Sequence, residues 1–271
     1  MPWSKMKNVI LVILAVTNLA LLVLVGGRAI QGSRLLSRAR EDSIQFLRGR
    51  GVEVDESVIP QAIELPPQTV ERDLEGEEKA AAALLGSPVT AESRGGEVYR
   101  YYNEKGSVQF HSDGTLSAQL EEGAFPLSGD RAAACTALME RMGFQGSITG
   151  GEGEALIFRQ TWKEIPLFTQ QVTLVCRGQE LSAITAGRQL VGRPQPDPSR
   201  ETISVATALI RFFNGVGALG DVCNRIDAIE PGYVAAASLS GPILLTPVWR
   251  VTTDTGAYQL DTVTGGVTRV S

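Results

Sequence analysis

"GEEKAAAALLG" (76–86), followed by "EVYRYYNEKGSVQFHSDGTLSAQL" (97–120), decides how the chain is read. The first piece is a helix closed by Gly86. The second is three strands turning at Lys105-Gly106 and Asp113-Gly114. The same order recurs. "DRAAACTALMERMG" (130–143) opens on Asp130, a helix-capping residue, and sets Cys135, Leu138, Met139 and Met142 at helical spacing. Strands follow over 154–192, with turns at Ile165-Pro166 and Arg177-Gly178. The proline-rich "RPQPDPS" (193–199) marks a boundary. "RETISVATALIRFFNG" (200–215) then predicts a helix with Ile203, Ala206, Leu209, Ile210 and Phe213 on one face and Gly215 as its stop, before strands over 227–270. Helices set apart from antiparallel meanders define an α+β class.

Upstream, "RLLSRAREDSIQFLRGRG" (34–51) has helical spacing through Leu36, Ala39, Ser43 and Leu47, with Gly49 and Gly51 as stops. "VDESVIPQAIELPPQTVERD" (54–73) carries three prolines and is expected to be an extended linker. At the amino end an almost unbroken apolar run from Val9 to Val25 gives about 26 Å of helix at about 1.5 Å per residue, enough for a bilayer with its shoulders. It lacks a good cleavage site, so an uncleaved anchor is expected. The charge count leaves its orientation open: Lys5 and Lys7 precede it, while Arg28, Arg34, Arg38 and Arg40 follow. The expected organisation is a stub and transmembrane anchor (1–27), a juxtamembrane helix and linker (28–75), two helix-plus-meander units (76–193) and a carboxy-terminal unit of the same kind (194–271).

Composition narrows the function. A net charge of −5 over 271 residues lacks the basic footprint that nucleic acid requires. The three cysteines, Cys135, Cys176 and Cys223, have no CxxC spacing and make neither a zinc site nor a disulfide framework; Cys135 and Cys176 fall on apolar stripes and are expected in the core. The one histidine, His111, ends a strand with nothing marking the partners of a catalytic triad. "GFQGSITGGEGEA" (143–155) runs from helix into strand, the reverse of a phosphate loop. Glu121, Glu122, Asp254 and Asp261 are read as solvated surface. The polar interruption of the anchor, Thr17 and Asn18, is the remaining chemistry, because an amide in an apolar span gains from bonding across to a second helix.

Two ends of the chain, "MPWSKMKNVILVILAVTNLALL" (1–22) and "PVWRVTTDTGAYQLDTVTGG" (247–266), resemble the YycI family and its sister family YycH. "FLRGRGVEVDESVIP" (46–60) and "WKEIPLFTQQVTLVC" (162–176) look like further segments of that family. The closing stretch is also of a type shared with PepSY-like domains. The resemblance implies a single-pass regulator of the WalK (YycG) sensor histidine kinase of a two-component system that controls cell-wall homeostasis. It implies no enzyme activity, cofactor or metal. Its carboxy-terminal domain would lie outside the cell, with the kinase, a YycH-like sister protein and the membrane as partners. Thr17 and Asn18 would contact the kinase's helices, Trp3 and Lys5 would sit at the membrane interface, and Trp249 and Tyr258 would belong to the core. The alternative is a PepSY-type binding or inhibitory module acting on an exported peptidase or on the wall.

Overall fold

A computed structural model describes residues 35–237 and 241–270. Its helices are α1 (35–49), α2 (Leu74–Leu85), α3 (Arg131–Arg141) and α4 (Val205–Ala218). The strands in the first part of the chain are β1 (Glu53–Val54), β2 (Gln68–Val70), β3 (Thr90–Ser93), β4 (Val98–Asn103), β5 (Gly106–His111) and β6 (Thr115–Leu120). Next come β7 (Gly146–Gly150), β8 (Ala155–Trp162), β9 (Ile165–Arg177), β10 (Glu180–Arg188) and β11 (Gln195–Pro196). The last are β12 (Arg225–Ala236), β13 (Ile243–Thr253), β14 (Gly256–Asp261) and β15 (Val267–Val270).

The expected fold class, a transmembrane helix followed by separate helix-plus-antiparallel-meander units, is overturned. The strands join in one large mixed sheet of 15 strands, with a main path β11-β2-β13-β12-β9-β10-β6-β5-β4-β3. Two of its pairings, β1 with β12 and β12 with β9, are parallel. Sequence periodicity reports neighbours along the chain, whereas these pairings join segments far apart in it. Strand β9 is the joint: its 13 residues meet β12 through Leu167 opposite Tyr233, and farther along pair with β8 and β10. Among the described residues no helix is long and apolar enough to cross a membrane. The expected anchor, including Trp3, Lys5, Thr17 and Asn18, lies outside the described residues.

Helices α2, α3 and α4 form where cap and apolar stripe agree. Asp73 accepts from Gly76 N at 2.9 Å, Asp130 from Ala133 N at 2.8 Å and Ser204 from Thr207 N at 3.2 Å, satisfying backbone donors that the first turn leaves free. Helices α2 and α3 bury Ala80, Ala81, Leu84, Leu85, Cys135, Leu138 and Met139 against β4–β6 and β8–β10, forming one core. Helices α1 and α4 close a second core over β12–β14, with Leu47, Phe212, Trp249 and Tyr258 at its centre. A small third cluster, Val70, Leu167, Leu190, Tyr233, Ala235, Ile243 and Leu245, bridges the two where β9 crosses over.

The expected linker is part of the sheet: it supplies β2 and the second residue of β1. Arg40 of α1 pins its first turn. Its guanidinium donates to the carbonyls of Glu56 (2.7 Å), Ile59 (2.8 Å) and Pro60 (3.2 Å), and only 5% of the residue is exposed.

Candidate functional site

The bridging cluster borders a cavity of about 460 Å3, within the usual range for small-ligand sites. Its walls come from both halves of the sheet. Val70 ends β2, and Glu71 and Arg72 lead into α2, which contributes Leu74 and Glu77. The ends of β3, β4 and β5 present Ser93, Tyr99, Phe110 and His111; Gln189 and Val191 follow β10; Gly241 precedes β13 and Ile243 opens it. The floor is the turn between β5 and β6, where Gly114 adopts φ +82°, a conformation glycine takes without strain.

Arg72 locks one wall. It grips Glu77 with both ends of the carboxylate, Nε to Oε1 at 2.7 Å and Nη2 to Oε2 at 3.0 Å. It also donates to the carbonyls of Glu97 (2.6 Å) and Phe110 (3.3 Å) and lies over the Tyr99 ring. Burial pushes the Glu77 carboxyl up, against the pull of Arg72. A two-point ion pair of this kind holds geometry more than it adds stability. It fixes the start of α2 to the ends of β4 and β5.

Buried glutamines differ in how far they are engaged, and Gln68 is half engaged: its Nε2 donates to Tyr233 Oη at 2.9 Å while its Oε1 has no partner. Gln160 is fully engaged: its Nε2 donates to Leu190 O at 2.9 Å and its Oε1 accepts from Leu190 N at 2.7 Å. Gln170 and Gln189 are each only 1% exposed, yet neither Nε2 nor Oε1 of either side chain has a hydrogen-bond partner. Gln189 lines the cavity. Gln170 stands directly behind the floor, its Nε2 3.4 Å from where a Cβ on Gly114 would lie. A buried amide without a partner costs about 1–3 kcal/mol per unsatisfied group.

Two other surfaces carry charge. A wider cleft of about 740 Å3 runs past Trp162, Lys163, Arg141 and Arg193. On the sheet, Arg250 alternates with Trp249 and Val251 and so projects from the face opposite α4. Its guanidinium lies 4.0 Å from the Phe168 ring centroid, and Phe168 is seated on Gly232, where a Cβ would come within 2.5 Å of the ring. Burial and the nearby charge of Arg159 push the Arg250 pKa down, with only Glu230 pulling the other way. The Nε atoms of Arg159 and Arg250 are both buried without a partner.

The residues singled out in the sequence are placed as follows. His111 ends β5 opposite Val98 and borders the cavity. Asp254 accepts from the backbone of Asn224 and Arg225 and from the Asn224 amide. Asp261 orders the last turn by accepting from Val263 N and Thr264 N; both aspartates are therefore structural. Glu121 and Glu122 lie exposed in the turn after β6. Cys135 and Cys176 are buried, free and 3.9 Å apart at sulfur. Trp249 and Tyr258 are buried, as expected. Among the described residues no cluster of three or more His, Cys, Asp or Glu forms a metal-binding group.

Sequence reasoning missed Arg72, Glu77, Gln170 and Gln189. Two of them carry a legible signal. Gln170 falls in register with Phe168, Val172, Leu174 and Cys176, a polar residue on an inward alternation. Glu77 falls in step with Ala80, Ala81 and Leu84 on the buried side of α2. Gln189, at the end of β10, has no such mark.

No family model and no curated protein matches the chain. Among solved structures, the crystal structure of an uncharacterized protein from Eubacterium rectale ATCC 33656 is similar, at 11% identity and a TM-score of 0.39, over 76% of this chain and 86% of that one.

Proposed function

We propose that this protein is a non-enzymatic regulator of a WalK-type sensor histidine kinase, working at the cell membrane with a YycH-like sister protein and binding its partners through the folded domain. The observation that carries the reading is Arg250, on the sheet face opposite α4 and stacked on Phe168, with the charge of Arg159 near it. Arg250 belongs to the closing stretch that resembles the YycI family, and it lies close enough to Arg159 for their charges to interact. Neither guanidinium is bonded to a carboxylate among the described residues. An arginine held on an aromatic ring with no carboxylate bonded to it suits an acidic partner surface, since arginine and electrostatic complementarity are recurrent features of specific interfaces. Regulation further requires that the two signalling states of the kinase be bound unequally, because equal binding shifts no equilibrium.

The test is co-purification of the kinase and of the YycH-like protein from cells producing the Arg159→Glu/Arg250→Glu variant. Recovery of both should fall well below wild type. Arg159→Glu alone keeps the Phe168 stack and serves as the control for folding. Undiminished recovery with both variants would count against the proposal.

A further inference from the structure

We infer that Cys135 and Cys176 are a disulfide-forming pair, joined while the chain folds so that α3 is tied covalently to β9. This goes beyond the regulatory reading and does not depend on it. The two residues lie 41 positions apart in the chain and on different elements, Cys135 on α3 and Cys176 near the end of β9. Folding nevertheless sets their sulfurs 3.9 Å apart, with neither residue exposed. A disulfide holds its sulfurs at about 2.05 Å, so the bond draws together two atoms already in contact. Cys223 has no share in this. It packs in the other core, with α1 and α4, and its thiol donates to the Arg225 carbonyl. Of the three pairs that three cysteines allow, the fold selects one.

Burial fixes when the bond is made. In the folded chain the pair is sealed in the core, and burial with Cys176 alongside pushes the Cys135 thiol up to about 12, whereas the attacking species is the thiolate. The reaction therefore belongs to the folding chain, before the core closes. Beside Cys176 the segment 125–127 is laid along the start of β10, Leu127 N donating to Gln179 O at 2.7 Å and Leu181 N to Phe125 O at 3.0 Å. Until that segment and α3 dock, both thiols are open to solvent and ionise near the ordinary value of 9.0. The oxidant is a small or protein disulfide, such as oxidised glutathione. One cysteine thiolate attacks a sulfur of that disulfide, forming a mixed disulfide and expelling one thiolate; the other cysteine then attacks the bound cysteine sulfur, closing the Cys135–Cys176 bond and expelling the second. Two electrons pass to the oxidant, and the two cysteine protons end on its two thiols. Docking of α3 on β9 supplies the proximity for the second step. The bond closes a loop of 41 residues, which restricts the unfolded chain.

The experiment starts from the full-length protein, reduced and denatured, and refolds it in a mixture of oxidised and reduced glutathione. Free thiols are then alkylated in denaturant and the unreduced peptides are read by mass spectrometry. The dithiol chain is alkylated at all three cysteines; after oxidative refolding, a Cys135–Cys176 linked peptide is expected with Cys223 alone alkylated. The linked chain should unfold at higher urea than the dithiol chain, and that shift should vanish when oxidised and reduced Cys176→Ala are compared with each other. Cys223→Ala, which leaves the pair intact, should give the same linked peptide and the same shift. Refolded protein with all three cysteines alkylated would overturn the inference. So would a dominant pair containing Cys223, or a linked chain whose midpoint is no higher than that of the dithiol chain.

Discussion

Trp249 shows how far a single residue can be read before its surroundings are known. Its large apolar ring in an alternating strand marks it as core, and it is 2% exposed beneath α4. Trp249→Ala should cost about 3–5 kcal/mol, read as a shift in the urea midpoint at unchanged slope. The cysteines are equally legible as apolar side chains, but their chemistry comes from packing. Burial, with Cys176 beside it, pushes the Cys135 thiol up to about 12, and burial pushes Cys223 to about 11. Both thiols stay protonated at pH 8 in the folded chain, so a thiol-specific reagent should label the native protein slowly and the denatured protein at all three cysteines. The linkage follows. The unfolded chain releases these protons near the ordinary value of 9.0 while the folded chain retains them, so their contribution to stability is complete below that pH and declines as pH rises toward about 12. Denaturant titrations at pH 8 and pH 10 would show the sign. Arg40 lies at the other extreme. In the sequence it is one of several charges near an apolar run, and nothing local shows that it folds the following loop by binding three carbonyls.

At the level of single elements, the existence of α2, α3 and α4 was legible, and their precise faces less so. The buried stripe of α4 is Val205, Ala208, Leu209, Phe212 and Val216, not the expected Ile203, Ala206, Leu209, Ile210 and Phe213. The reason lies at its start: Ser204 is the cap, so Ile203 precedes the helix, and Ile210 is 40% exposed. Gly215 does not stop the helix, which runs on to Ala218. It is small because β15 passes against it: an added Cβ would lie 2.5 Å from Val267 Cγ2. Two glycines of one helix should therefore respond with opposite signs. Gly215→Ala gains up to about 1 kcal/mol of helix propensity but meets an overpacking cost of about 1–3 kcal/mol, so a net loss is expected. Gly217→Ala, with nothing within 4 Å of the new atom, should gain about 0.5 kcal/mol. Thermal melts of the two variants, side by side, decide it. The β8–β9 hairpin also turns elsewhere than Ile165-Pro166. Lys163 and Glu164 both take positive φ, 50° and 67°, a backbone usually assigned to glycine or asparagine, which is why the turn gave no signal.

For the molecule as a whole, the recurring helix-then-strands pattern was visible, but the single sheet was not. Strand β9 carries an ordinary alternation along its 13 residues, and nothing in that alternation says that its first residues border one core and its last residues another. Such a strand couples the two cores, so equilibrium unfolding should be one cooperative transition. Tryptophan fluorescence and far-UV circular dichroism of the unsubstituted protein should report the same midpoint. Separate midpoints would show that the halves fold independently.

The proline-rich run at 193–199 would be the natural place to cut this chain. The parallel contact of Leu167 with Tyr233 makes such a cut costly. A fragment ending there would leave the first turn of β9 without its neighbour, baring a sheet edge of the kind that recruits other chains. Produced apart, the two pieces are expected to be partners in need of each other, soluble together and prone to aggregate alone.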